Sequence, residues 1–321
     1  VVSTGGTIEM ALGSSGFVMP ADPGGPSDPE GLPDWLSVEH VRLFALPSPA
    51  MTPARMAELC RMLKDLEDGG KWDGIVVTHG TDTLEESAFL ADISLEGRTP
   101  VVFTAAMRSS VELGVDGPRN LKGSLLTAVS NGFQNFGTVV VLNDEIHAAA
   151  RVTKTYTSNV SSFASPGYGP LGFVDEDRVI FARMPLRRLH LPPGSGRLEL
   201  DERVGLVRAA AGLGAREIDF CVSQGDRAIV LEAFGRGNVP PDVADAVERA
   251  VGASVLVVVT SRCYMGRVLG VYGYEGGGAD LVKRGAVLGG DLPGHKARLF
   301  LMACLGAGLP RDRIAGLLGD L

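Results

Sequence analysis

Short, mainly apolar runs alternate along the first half of the chain with segments in which apolar residues recur every three or four positions. Val1 to Ser3, Gly74 to Thr78, Pro100 to Ala105 and Thr138 to Leu142 have the length and mainly apolar character of strands buried on both faces, as in a parallel sheet. Between them the period is helical. Met56, Leu59, Cys60, Leu63 and Leu66 share one face of a helix that Thr52 caps, Pro53 opens and Gly69-Gly70 stops. Thr83 followed three residues later by Glu86 predicts a capping box before a helix bearing Ala88 and Ala91. Pro118 opens a third helix, with Leu121, Leu125, Ala128 and Val129 inward and Gly132 as its stop. This β/α alternation predicts a doubly wound α/β domain.

From Arg151 to Met184 the pattern shifts to short β-like pieces broken by Gly167, Gly169, Pro170 and Gly172, which predicts a hairpin region attached to the sheet. Pro185 to Arg203, with Pro192-Pro193-Gly194-Ser195-Gly196, reads as a linker. Beyond it, Val204 to Val207, Ile218 to Val222, Ala228 to Ala233 and Val255 to Thr260 are strand candidates, and Pro241 to Val251 and Lys296 to Leu305 are helical. The expected fold is two α/β domains: a larger one over 1–186, doubly wound with flavodoxin-like character, a linker over 187–203 and a smaller one over 204–321.

Composition narrows the function. The 321 residues suit two domains, and 43 Gly with 19 Pro mean that many backbone positions are special. A net charge of −8 argues against nucleic-acid or anionic-membrane partners, and no apolar run reaches the ~18 residues of a membrane span. Cys60, Cys221, Cys263 and Cys304 are far apart without a CxxC pair, which predicts reduced, buried thiols and no metal site. Val1 opens in a strand with no methionine, so any leader is out of view, and the expected location is cytoplasmic.

GxxxxGK[ST], GxSxG and HExxH are all missing, so the P-loop nucleotide, serine-hydrolase and metalloprotease readings lose support. Two threonine-centred segments stand out instead, Ser3-Thr4-Gly5-Gly6-Thr7-Ile8 and Val77-Thr78-His79-Gly80-Thr81-Asp82-Thr83. Each follows a strand, where doubly wound sheets place ligands. Gly5-Gly6 permits positive φ and close approach, a setting for an attacking Thr7 hydroxyl beside an oxyanion hole. The helix after Thr83 turns its partly positive end toward Thr81 and Asp82, and Asp82 could pair a substrate ammonium. Taken singly, either segment reads equally well as a tight turn.

The chain resembles the bacterial-type L-asparaginases of the asparaginase/glutaminase family over nearly its whole length. The resemblance is carried by TGGTI at 4–8, Ser48 to Met51, THGTDTLEESA at 78–88, AMR at 106–108, Asp116 to Leu121, ND at 143–144, RVTKT at 151–155, YGPLG at 168–172, GN at 237–238 and LPGHKAR at 292–298. It implies a larger α/β domain with a left-handed crossover, a smaller α/β domain, and a homodimer or homotetramer. By motif position, Thr7 matches the nucleophile, and Thr81, Asp82 and Lys154 match the second catalytic group. Ser48, Thr81 and Asp82 match substrate-holding positions, and Asn238 matches a residue supplied by the neighbouring subunit. The acidic residue that members donate across the dimer falls in Tyr274 to Asp280, with Glu275 as candidate. The substrate implied is a small amino-acid amide, L-asparagine giving L-aspartate and ammonia through an acyl-enzyme, with no cofactor or metal.

A lysine that pairs with Asp82 is hard to use as a neutral base, so Lys154 is expected to act through Thr81. Two departures from the family pattern matter. No tyrosine occurs from Ile8 to Leu46, where Phe17 is the nearest aromatic, and Pro49 stands where many members carry glutamine after the serine. They favour the competing readings, a catalytically silent amino-acid-binding protein on the same scaffold or an amidase for a different small amide. His79 is expected to be structural, Trp35 and Trp72 to be packing residues, and Asn159-Val160-Ser161 an ordinary loop.

Overall fold

Strand β1 (Val2–Gly5) leads through an antiparallel pair, β2 (Met10–Leu12) and β3 (Val18–Pro20), to β4 (Val41–Leu46). There follow α1 (Pro53–Gly69), β5 (Ile75–Thr78), α2 (Leu84–Ser94), β6 (Val101–Thr104), α3 (Gly117–Ala128) and β7 (Thr138–Leu142). Every residue of β5, β6 and β7 is buried, as continuous apolar runs require of strands covered on both faces. The computed structural model describes residues 1–12, 18–20, 26–133, 136–185, 189–192 and 197–319. The chain forms two units, Val1–His190 and Leu191–Leu321.

In the first unit, β8 (Glu145–Ala148), β11 (Gly172–Asp175) and β12 (Arg178–Phe181) extend the sheet antiparallel, and β9 (Thr153–Lys154) pairs with β10 (Phe163–Ala164) apart from it. The eight-stranded order is β12-β11-β8-β7-β6-β5-β1-β4. Counting the parallel strands alone, the order is 2-1-3-4-5, the flavodoxin-like arrangement, whose direction reverses between β1 and β5. Ligands bind at the carboxyl ends flanking that reversal. Leu121, Leu125 and Ala128 of α3 close one face over Val76, Val102, Val139 and Val141. By alternation Val77, Phe103 and Val140 face the other side, where α2 packs on β6 and β7.

Several sequence expectations change here. The capping box is not made: Thr83 donates its hydroxyl to the Ser48 carbonyl (2.9 Å) instead of capping α2. Helix α3 ends at Ala128, where Val129 N–H returns to Leu125 and Thr127, short of Gly132. Strand β4 carries no buried apolar run to announce it: at the sheet edge Val41, Arg42 and Ala45 are exposed, the others are only partly buried, and Arg42 interrupts the pattern. Trp35 is exposed and is no packing residue, and Cys263 is an exposed thiol, while Cys60 and Cys304 are buried, with thiols pushed up to about 12. Phe17 and Pro193 to Gly196 lie outside the described residues.

The second unit is a four-stranded parallel sheet in chain order: β13 (Val204–Arg208), β14 (Ala228–Ala233), β15 (Leu256–Ser261) and β16 (Val287–Leu288). Its helices are α4 (Arg216–Ser223), α5 (Pro241–Gly252), α6 (Gly278–Lys283), α7 (Gly294–Gly306) and α8 (Arg311–Gly319). The strand expected at Ile218 to Val222 is helix α4, because a five-residue stretch, here interrupted by Asp219, does not by itself decide period. Only Ile218 of α4 is buried, and Glu217 and Asp219 sit in its first turn, where the helix dipole favours acids. Ile229, Leu231, Val257 and Val259 pack against Val243, Ala246, Val247 and Ala250 of α5. Among the described residues no helix is long and apolar enough to cross a membrane.

Candidate active site

The two threonine loops leave the carboxyl ends of β1 and β5 and meet through their glycines. Gly5 has φ +101°, and a Cβ there would come within 2.4 Å of Leu46 N on β4. Gly6 has φ +90°, and its Cβ would lie 2.4 Å from both Cα and N of Gly80. Gly80 in turn lies against Ser48, whose Oγ would be 2.7 Å from an added Cβ. Backbones can pack closely enough to leave no room for a Cβ only where glycine stands, so Gly6, Gly80 and Ser48 bring three chain segments into contact. Thr7 and Thr81 are the residues that immediately follow the touching glycines.

Each loop is then fixed by its own hydrogen bonds. Gly6 N–H donates to Leu46 O (3.1 Å), and Glu9 N–H donates to Gly6 O (2.9 Å), which turns Thr7–Glu9 into a single 3-10 turn. The Gly6 amide is therefore occupied and does not serve the oxyanion hole expected of this loop. Thr4 Oγ1 donates to Thr78 O (2.8 Å), joining β1 to β5 below the site. On the third segment Ser48 Oγ accepts from Asp82 N–H (3.1 Å).

Lys154, from β9, completes the cluster. Its Nζ lies 2.9 Å from Thr81 Oγ1 and 2.7 Å from Asp82 Oδ1, and its backbone N–H donates to Glu85 Oε1 (3.2 Å). Glu85 went unremarked as a site residue within the motif that follows Thr81. Its place in the first turn of α2, directly after the Thr81-Asp82-Thr83 loop, was the available signal. The Lys154 side chain is 16% exposed and that of Asp82 55%, so the pair stands at the edge of the site with Thr81 buried beneath it.

His79 lies behind Thr81 in the core. A carbonyl can only accept, so Nδ1–H donates to Gly80 O (2.8 Å) and Nε2 accepts the Ser87 hydroxyl (2.9 Å). Burial pushes this imidazole down to about 4, keeping it neutral and structural. The AMR, Asp116–Leu121 and ND motifs form a supporting clamp. Asp116 accepts Met107 and Arg108 N–H, while Asn120 donates to Ala105 O and accepts Asn143 N–H. Asn143 and Asp144, at φ 50° and 63°, form the two-residue turn between β7 and β8.

Thr7, Ser48, Thr81, Asp82 and Lys154 are therefore gathered in the first unit. Asn238 and Glu275 belong to the second unit, and there they are neighbours. Asn238 closes the turn after β14 by paired backbone bonds with Phe234, and its Oδ1 accepts Gly278 N–H (3.3 Å). Gly276 and Gly277 are glycine because a Cβ would fall 2.2 Å from Val239 O and 2.4 Å from Tyr272 O, respectively. Asp280 turns inward to Gly276 N–H and Arg284, both at 2.9 Å. Glu275 is left exposed, 3.7 Å from Arg284.

Hydroxyl, amine and carboxylate groups gathered at the reversal point of a two-unit α/β protein are what an α/β amidohydrolase needs. Residues 1–187 match the family described as Asparaginase, N-terminal, and 203–318 match the Glutaminase/Asparaginase C-terminal domain. The chain belongs to the asparaginase family. It is 34% identical to the L-asparaginase of Bacillus licheniformis over 95% of this chain and 94% of that one. It is 36% identical to the probable L-asparaginase of Deinococcus radiodurans, over 98% and 94%, and 35% identical to L-asparaginase 2 of Escherichia coli, over 74% and 68%.

Proposed function

We propose that the protein hydrolyses L-asparagine to L-aspartate and ammonia, with Thr7 as nucleophile and Thr81, Asp82 and Lys154 as the group that moves protons. The contact of Lys154 Nζ with both Thr81 Oγ1 and Asp82 Oδ1 is the observation that carries this reading. Thr7 Oγ1 adds to the side-chain amide carbon and gives up its proton, which passes to the amide nitrogen; the C–N bond breaks, ammonia leaves and an ester to Thr7 remains. Water then adds to the ester carbon, releasing aspartate and restoring the hydroxyl. A lysine nitrogen that touches the Thr81 hydroxyl can polarise it, so Thr81 relays a proton while Asp82 holds the amine in place.

Substrate holding falls to Ser48 and to Asp82, with Asn238 and Glu275 supplied by a second copy of the chain. Support for a homodimer or homotetramer comes from the exposed Tyr264, Met265, Val271, Tyr272 and Tyr274 in the loop between β15 and α6 that carries Glu275. Light scattering on the purified protein tests it. The same reading includes a cytoplasmic location, supported by four free cysteines and tested by cell fractionation.

Pro49, in the 3-10 turn Ser48–Ala50, offers no side-chain donor next to Ser48 and favours the second reading, a different amide or binding alone. Ammonia release from L-asparagine, D-asparagine and L-glutamine, measured beside ligand-induced thermal shifts, separates the two. Turnover of L-asparagine supports the first, and thermal shifts without ammonia release support the second.

A further inference from the structure

The carboxylate of Glu9 is buried, with its side chain 5% exposed, and lies two residues beyond Thr7 in the same 3-10 turn. One oxygen, Oε1, accepts both the Ser3 hydroxyl (2.5 Å) and the Thr78 hydroxyl (2.7 Å). The other, Oε2, lies 3.6 Å from Arg42 Nη2 and takes no hydrogen bond among the described residues. Ser3 is the register partner of Arg42 on β4 and of Thr78 on β5. Arg42, Ser3 and Thr78 therefore form one row across three adjacent strands and point to the same face. Glu9 sits over that row, at the reversal point of the sheet.

Burying a carboxylate is costly unless its interactions replace water, so its presence at this place calls for a reason. A hydrophobic residue would seal the turn as well. What a carboxylate adds is a fixed point: two hydroxyl donors on different strands and one guanidinium define its position. On the other side of Thr7, Gly6 is pinned by Leu46 O and by Gly80. Only Thr7 and Ile8 lie between the two anchors. Thr78 is three residues ahead of Thr81, so the same carboxylate ties the turn of the nucleophile to the strand that delivers its partner.

We propose that Glu9 is a positioning residue, which sets the Thr7 hydroxyl against Thr81 and Lys154 by anchoring the Thr7 turn to the Arg42-Ser3-Thr78 row. This rests on the amidohydrolase reading above. Glu9→Ala removes the anchor. Glu9→Gln keeps an acceptor oxygen for Ser3 and Thr78 and loses only the ionic contact with Arg42. Glu67→Ala is the control, since Glu67 is an equally buried carboxylate that holds Glu96 and Arg98 N–H at the far end of α1.

The test measures kcat and KM for L-asparagine well below the Tm of every variant. Misplacing a reacting group by an ångström can cost about 100-fold. Glu9→Ala is expected to lower kcat about 10- to 100-fold with KM changed less than about 3-fold, and Glu9→Gln to recover most of that loss. Glu67→Ala is expected to lower Tm and leave kcat unchanged. Wild-type kcat in folded Glu9→Ala, or a kcat loss matched by Glu67→Ala at equal Tm, overturns the proposal. A second readout needs no turnover: the alkylation rate of the introduced thiol in Thr7→Cys, followed by mass spectrometry with and without Glu9→Ala. A change of about 5-fold or more supports positioning even if no amide is hydrolysed, and an unchanged rate overturns it.

Discussion

Lys154 Nζ stands 2.9 Å from the Thr81 hydroxyl while the same nitrogen is held by Asp82 at 2.7 Å. One nitrogen thus links a proton-carrying hydroxyl to a charge that fixes its position, across more than 70 residues of sequence. Lys154→Met keeps the length and apolar stem of the side chain and removes the nitrogen. It is expected to lower kcat by about 10²- to 10⁴-fold while leaving the melting temperature nearly unchanged. Ammonia release measured beside a thermal melt decides this, and an active variant would place the proton-transfer group elsewhere.

Thr7→Ala and Thr81→Ala should each remove nearly all ammonia release from L-asparagine. The two differ in detail. A burst of covalent acyl-enzyme, seen by intact-protein mass spectrometry after quenching, is expected to vanish in Thr7→Ala, because that variant has no oxygen to acylate. Near-normal turnover in either purified variant would remove that threonine from the mechanism.

Gly80→Ala tests the contact between the loops. The new methyl would lie 2.6 Å from Ser48 Cβ and 3.1 Å from Ser48 N, so the Ser48 segment must move. Overpacking of this kind costs about 1–3 kcal/mol. Because Ser48 Oγ accepts Asp82 N–H, activity should fall more steeply than stability. Equal activity and an unchanged melt in Gly80→Ala would show that the segments can part without consequence.

Acid should weaken the fold through His79. Its imidazole is pushed by burial from 6.5 to about 4, so the unfolded chain binds a proton between those values that the folded chain refuses. The contribution is whole above pH 6.5 and is lost as pH falls through 4, at up to ~1.4 kcal/mol per pH unit. His147, lowered by burial against the pull of Glu145, acts in the same direction. Urea denaturation between pH 7 and pH 4.5 should show a shallower fall for His79→Gln than for the wild type. Identical slopes would assign the acid sensitivity to other groups.

The parallel strands were legible because both their faces are buried: β7 falls on the expected Thr138 to Leu142, and β14 on Ala228 to Ala233. The threonine loops were legible because close backbone approach demands glycine, and Gly5-Gly6 and Gly80 mark the places. What escaped was whatever depends on partners distant in sequence. Thr83 has the local pattern of a cap, yet its hydroxyl goes to Ser48 O, an acceptor that only the folded sheet supplies. Ile218 to Val222 has equal claims to strand and helix until its single buried side chain is known. Glu9 reads as a surface acid after an isoleucine, and only the alignment of Arg42, Ser3 and Thr78 across three strands reveals its place.

The meeting of Gly6, Gly80 and Ser48 also bears on how the molecule is made. These residues come from segments after β1, β5 and β4, and none of their contacts is local: the nearby Thr4–Thr78 bond closes a loop of 74 residues. Such closures have a high entropic cost and form late. The chemical centre therefore has no partial form. It comes into being when the central strands have all docked, so enzymatic activity regained during refolding would time the completion of the sheet.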